Sequence, residues 1–278
     1  MLIEAAQLQE ILKQDNSLLL CCLLRPVGVA AESLNESDFI PASRLFDIDD
    51  FSKLDAPFPH TLLSARDFES KARALGINND STIVVCDNIG IYSAPRVWFN
   101  LTMMGCNNVL LLNGGIPAWK ASGYPITHET LTANPEGDFS AHEQSNRVAT
   151  KEDVLAAIGK ANIRIIDVRG AARFNGQVPE PRAGVRSGHI PGSANIPYAN
   201  FIRDGRFKPR AELEKLFQEA GCSGDQQLIF SCGSGVTACI GYVAALLCGY
   251  HNICVYDGSW AEWGAIESLP IEVSSSGT

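Results

Sequence analysis

The sequence predicts an α/β protein of two similar domains, each a parallel sheet flanked by helices. Three observations carry this expectation. The chain has 278 residues, enough for two domains that each bury a core. Short apolar runs alternate with helical segments across short turns, the pattern of parallel sheets covered on both faces. The two halves also repeat each other: Gly105-Cys-Asn-Asn-Val-Leu-Leu-Leu-Asn-Gly-Gly-Ile-Pro-Ala-Trp119 parallels Gly249-Tyr-His-Asn-Ile-Cys-Val-Tyr-Asp-Gly-Ser-Trp-Ala-Glu-Trp263, and Ile40-Pro-Ala-Ser43 parallels Ile190-Pro-Gly-Ser193. A period this long is a duplicated domain rather than a solenoid.

The elements follow in order. Met1 to Leu12 has an amphipathic helical pattern, with acidic residues and none of the basic start of a signal peptide. Leu18–Leu24 is a strand-like apolar run. Thr82–Cys86 is a strand, Ala94–Met104 a helix and Val109–Leu112 a second strand. Residues 127–147 are polar, including Asn134-Pro-Glu-Gly-Asp138 and His142-Glu-Gln-Ser-Asn146, which is linker composition. The expected organisation is therefore a first domain over 1–126, a linker over 127–147 and a second domain over 148–278. The capping-box spacing Thr150-Lys-Glu-Asp153 introduces a helix running through Val154–Ile158. Leu228–Ser231, Thr237–Cys248 and Ile253–Tyr256 then repeat the strand–helix–strand pattern of the first half.

Composition narrows the function. A hydrophobic content of 46% and a charged content of 19% describe a globular chain. The net charge of −9 with no basic stretch argues against nucleic acid. No apolar run is long enough to span a membrane. The nine cysteines form no CxxC pair, so neither a metal nor another cofactor is expected. Buried, reduced thiols and a cytoplasmic location are expected.

One cysteine stands apart. Cys232-Gly-Ser-Gly-Val-Thr-Ala238 lies between an apolar strand and an apolar helix. Gly233 and Gly235 let the backbone curl so that successive amides, including those of Val236 and Thr237, converge near one point. The helix that follows adds the positive end of its dipole. A thiolate held there would be stabilised and nucleophilic. Tight packing alone also produces such turns, and Cys is often only a small buried hydrophobe. In the first half, strand alignment puts Asp87 opposite Cys232, in a loop one residue longer. A carboxylate cannot perform the same sulfur chemistry, so the first half is expected to be catalytically silent.

Asp167-Val-Arg169, Gly188-His-Ile-Pro-Gly-Ser-Ala-Asn-Ile-Pro197, the Cys232 loop and Asp257-Gly-Ser-Trp-Ala-Glu-Trp263 together resemble the signatures of the tandem rhodanese-domain sulfurtransferases, in order and over roughly the whole chain. The loop resembles that of the mercaptopyruvate-using branch. Thiosulfate-using relatives carry basic residues just after the cysteine, where this chain has the neutral Gly233 and Ser234. The resemblance implies two tandem rhodanese-like domains, with Arg173 and Arg182 binding the carboxylate and carbonyl of 3-mercaptopyruvate, and Arg186 a nearby spare. Guanidinium groups suit such bidentate recognition, although loop arginines are more often solvated. It also implies a Ser234–His60–Asp49 relay for a proton. Cys232 would become a persulfide that passes its outer sulfur to cyanide, a small thiol or thioredoxin, and a monomer is expected.

His189 is expected to fix a turn, Asp167 and Arg169 to form a structural ion pair, and Trp260 and Trp263 to pack the core or wall the pocket. The first half departs from the family pattern: Leu23-Leu24-Arg25 stands where relatives carry Asp-Ala-Arg, and Asp38-Phe-Ile-Pro-Ala-Ser43 replaces Gly-His-Ile-Pro-Gly-Ala, after a polar loop over Pro26 to Ser37. Alternatives remain: a thiosulfate sulfurtransferase, separated by donor preference, or a persulfide carrier without turnover, separated by whether Cys232 responds to mercaptopyruvate. A Cys-based phosphatase needs an arginine six positions after the cysteine, and position 238 is Ala.

Overall fold

The computed structural model describes residues 1–24, 38–132 and 135–274. Arg25 and the loop over Pro26 to Ser37 lie outside the described residues. The first half runs β1 (Leu2–Ile3), α1 (Ala5–Ile11), β2 (Ser17–Cys22), β3 (Arg44–Leu45), α2 (Ala65–Ala74), β4 (Thr82–Asp87), α3 (Ala94–Met103), β5 (Val109–Leu112) and α4 (Gly115–Ala121). The second runs β6 (Val148–Ala149), α5 (Lys151–Ala157), β7 (Ile163–Asp167), α6 (Ala171–Phe174), β8 (Ala194–Asn195), β9 (Ile202–Arg203), β10 (Arg206–Phe207), α7 (Arg210–Glu219), β11 (Gln227–Ser231), α8 (Ala238–Cys248), β12 (Ile253–Tyr256) and α9 (Ser259–Trp263).

Two five-stranded parallel sheets result, ordered β1-β5-β4-β2-β3 and β6-β12-β11-β7-β8. The expected fold class holds, and the two orders are the same. The central strands are apolar on both faces because helices cover both: every residue of β4 is buried. The helices that follow them are also enclosed, with all of α3 and most of α8 buried. The repeat extends to single hydrogen bonds. Trp119 Nε1 donates to the Pro125 carbonyl at 2.7 Å, and Trp263 Nε1 to the Pro270 carbonyl at 2.8 Å. Ser43 and Ser193 each donate a backbone N–H to the isoleucine three residues earlier, both at 3.1 Å.

Two expectations about local structure need revision. The first twelve residues are not one helix: Leu2–Ile3 pairs with Leu111–Leu112 as an edge strand, and α1 starts after Glu4, which forms a reciprocal capping box with Gln7. An edge position for two apolar residues satisfies backbone groups that a frayed first turn would leave open. The polar stretch 127–144 is tied into the first unit: Thr127 pairs with Phe39, Phe139 is buried, and Gly137, His142 and Gln144 donate backbone N–H groups to Arg73, Met104 and Met103. Thr150 caps α5 with Asp153, as the spacing predicts.

The chain forms two compact units. The first comprises Met1–Leu54, Leu62–Gln144 and Asp204–Phe207; the second comprises Asp55–Thr61, Ser145–Arg203 and Lys208–Thr278. All nine cysteines are in the thiol form, and eight of them are buried. Among the described residues, no helix is long and apolar enough to cross a membrane.

Candidate active site

The candidate site of the second unit sits at the carboxyl end of its central strand, where parallel α/β sheets characteristically bind ligands. Cys232 follows β11 directly and is almost wholly buried. Its backbone is fixed from the chain around α9. The Cys232 N–H donates to Ser259 Oγ at 3.1 Å, and that hydroxyl donates to the Tyr256 carbonyl at 2.8 Å. In return, the N–H groups of Trp260 and Ala261 donate to the Cys232 and Gly233 carbonyls. Gly235 takes a left-handed φ of +79°, which turns the chain so that Val236 and Thr237 lead into α8.

Ser234 meets His60, which belongs to the second unit through segment 55–61. His60 Nδ1 and Ser234 Oγ share a hydrogen bond of 2.9 Å, the hydroxyl donating when Nδ1 carries no proton. His60 itself has a φ of +59°, a conformation uncommon outside glycine and the short polar residues.

Arg173 lies over the start of the same loop. A Cβ added at Gly233 would stand 3.2 Å from Arg173 Nη2 and 3.7 Å from Nη1, so glycine is what lets the guanidinium approach this closely. Burial opposes the charge on Arg173. Glu180, with smaller help from Cys232 and Asp167, more than offsets that and leaves the guanidinium more firmly protonated than usual. Arg182, by contrast, is exposed and has no ion-pair partner among the described residues.

The first unit shows what the same strand end does without sulfur. Strand register makes Asp87 the counterpart of Cys232, since Ile83 pairs with Val109 as Leu228 pairs with Ile253. The Asp87 carboxylate is fully buried and accepts the N–H groups of Tyr92, Ser93 and Ala94 at 2.7, 3.0 and 2.8 Å, together with the Ser93 hydroxyl. The amides at the start of α3 are therefore filled by a side chain of the protein itself.

A rhodanese-like domain model matches residues 36–122 and again 150–266. The chain belongs to the tandem rhodanese-domain sulfurtransferases. The 3-mercaptopyruvate sulfurtransferase of Escherichia coli (strain K12) is 41% identical over 245 residues, 88% of this chain and 86% of that protein. A thiosulfate sulfurtransferase of Rattus norvegicus is 39% identical over 228 residues, 81% of this chain and 76% of that protein. The crystal structure of SseA from Escherichia coli, described as a 3-mercaptopyruvate sulfotransferase, matches with a TM-score of 0.83 and 35% identity, covering 93% of this chain and 98% of that one.

Within this rhodanese site, several neighbours prove to be framework. Arg169 holds Asp167 through Nε and Nη2 at 2.6–3.1 Å, donates to the Gly188 carbonyl, and stacks 4.4 Å from the Trp260 ring centroid. Trp260 and Trp263 are fully enclosed in the core of the second unit. His189 Nδ1 hydrogen-bonds the Phe174 carbonyl, and its ring stacks on Phe174. Arg186 is not a spare for substrate: it donates to the carbonyls of Trp263, Gly264, Ile266, Glu267 and Leu269, capping the turn after α9. Five backbone acceptors leave its guanidinium no edge for an anion.

Two residues of the rhodanese site escaped sequence reasoning. Ser259 anchors the Cys232 N–H from a φ of +49°, in the place of Gly115 in the repeat. A serine where the duplicate has a left-handed glycine was the available signal. Glu180 bridges Arg169 and Arg173, and only its place between two prolines in an arginine-bearing loop hinted at it. Asp49 belongs to the first unit, where its N–H donates to the Asp47 carboxylate.

Proposed function

We propose that the chain takes sulfur from 3-mercaptopyruvate onto Cys232 and passes it to a thiophilic acceptor, releasing pyruvate. The observation that carries this reading is the Arg173 guanidinium lying over neutral Gly233, one residue from a buried thiol. A monocarboxylate donor needs one guanidinium set apart from the sulfur; a dianionic donor would favour positive charge on the loop itself, where there is none.

The Cys232 thiolate attacks the donor sulfur. The carbon–sulfur bond breaks, its electron pair stays with the carbon and delocalises onto the carbonyl oxygen, and pyruvate departs as the enolate. The hydrogen-bonded pair Ser234 and His60 supplies a proton to that enolate, the general-acid role that favours departure. The family pattern assigns the third place in that relay to Asp49. Arg182, exposed at the loop edge, is the second group for the donor's carboxylate and carbonyl. The persulfide on Cys232 then gives its outer sulfur to cyanide, a small thiol or reduced thioredoxin, regenerating the thiolate.

Pyruvate release from mercaptopyruvate, measured for wild type and Cys232→Ala, tests the reading. The variant should release none, and undiminished turnover would reject Cys232 as nucleophile. Similarity to a thiosulfate sulfurtransferase makes donor choice the second test. A kcat/KM higher for thiosulfate than for mercaptopyruvate would reassign the donor and leave Cys232 in place.

A further inference from the structure

Arg173 does not meet the loop with an arbitrary side of its guanidinium. Its Nε–Nη2 edge is taken by Glu180, through bonds of 3.1 Å to Oε1 and 2.5 Å to Oε2. The two Nη atoms are the ones nearest Gly233, so the Nη1–Nη2 edge is turned toward the start of the cysteine loop. Nη1 has no acceptor among the described residues.

Glu180 is itself held. Its side chain is 4% exposed, and Oε1 also accepts Arg169 Nη1 at 2.9 Å. Arg169 is fastened to the end of β7 by Asp167, to the Gly188 carbonyl and to the face of Trp260. Asp167, Arg169, Glu180 and Arg173 thus form an alternating row of charges running from the sheet to the loop. The row is electrically balanced, so each buried charge has a counter-charge, and its one open end is the outer edge of Arg173.

We infer that Glu180 is a positioning residue: by occupying one edge of Arg173 it presents the other, in a fixed orientation, to the carboxylate of the sulfur donor. The inference rests on the carboxylate-donor reading above. Without Glu180 the guanidinium would have two free edges and free end torsions, and binding the donor would have to order it. The donor carboxylate does not react, so its contact is held equally in the ground and transition states. Loss of such uniform binding raises KM and leaves kcat nearly unchanged.

The test compares full-length wild type, Glu180→Gln and Glu180→Ala in pyruvate release from mercaptopyruvate with cyanide as acceptor. Glu180→Ala should raise the donor KM by about tenfold or more, the worth of one charge-assisted hydrogen bond. Glu180→Gln, which keeps one acceptor oxygen, should raise it less. In both, kcat should stay within about threefold and the KM for cyanide should not move, which a general loosening of the site would not produce. Thermal unfolding checks that the variants are folded. If Glu180→Ala is not, because Arg169 has lost a partner, Glu180→Gln decides. An unchanged donor KM, or a fall in kcat as large as the rise in KM, overturns the inference alone. A wild type that releases no pyruvate overturns the donor reading and the inference together.

Discussion

Asp87 and Cys232 occupy the same place at the ends of the two central strands and are held in opposite ways. Asp87 turns its carboxylate onto the amides of residues 92–94, while Cys232 is held by its own N–H and carbonyl, through Ser259 and Trp260. The first unit has closed its anion cradle with a side chain; the second keeps its side chain out of the anchoring.

That difference gives Asp87 a role in stability. Asp87→Ala strands three buried N–H groups, and the loss should be on the order of 2–4 kcal/mol, seen as a lower melting temperature. Burial raises the Asp87 pKa above its ordinary value of 3.8, outweighing the bonds from Ser93, Ala94 and Tyr92. A folded-state pKa above the unfolded one means the folded state holds its proton more tightly. The contribution of this titration is therefore fullest below 3.8 and is lost as pH rises through the raised value. Melting curves of wild type and Asp87→Asn across that range should converge toward acid pH in this sense; a wild-type advantage growing with pH would contradict it.

Gly233 should control donor choice by shape. Gly233→Ala puts a methyl 3.2 Å from Arg173 Nη2, against a guanidinium that Glu180 holds in place. The KM for mercaptopyruvate should rise several-fold, roughly 1 kcal/mol of lost contact, with little change in melting temperature. Gly233→Arg should displace Arg173 and move preference toward thiosulfate, read as the ratio of the two kcat/KM values.

Ser234 and His60 should behave as one device. Ser234→Ala and His60→Ala should each lower kcat by about a hundredfold, the lower range for general acid–base catalysis. The double variant should be little worse than either single one, because each removes the same hydrogen bond. Multiplicative losses in a double-mutant cycle would show that the two act separately.

Arg186 offers a control among the arginines. Arg186→Ala leaves up to five carbonyls without their donor and should cost about 2–4 kcal/mol of stability. The donor KM should be that of wild type. A KM effect as large as that of Arg173→Ala would return it to the substrate site.

The strands β4, β5, β11 and β12 and the helices α3 and α8 were legible because their signals are local. An apolar run such as Val109–Leu112 or Ile253–Tyr256 is bounded by polar residues, and the observed strands have those same bounds. Duplication let the strand–helix–strand succession be read twice, once in each half. Leu2–Ile3 was missed because a two-residue strand has no period, and its neighbour at Leu111 is distant in sequence. The cysteine loop was legible from its glycines, whereas Ser259 and Glu180 act through bonds that only the folded chain brings about. Arg173 and Arg186 look alike in sequence. They part ways because one faces a carboxylate and the other a fan of backbone carbonyls.

Segment 55–61 carries His60 into the second unit, while segment 204–207 is counted with the first. A gene fragment starting at 145 would encode Cys232, Ser234 and Arg173 but not the imidazole bonded to Ser234. No single cut in the chain separates the two units. Whatever the two copies were when the duplication arose, each unit now includes a segment from the other half of the sequence.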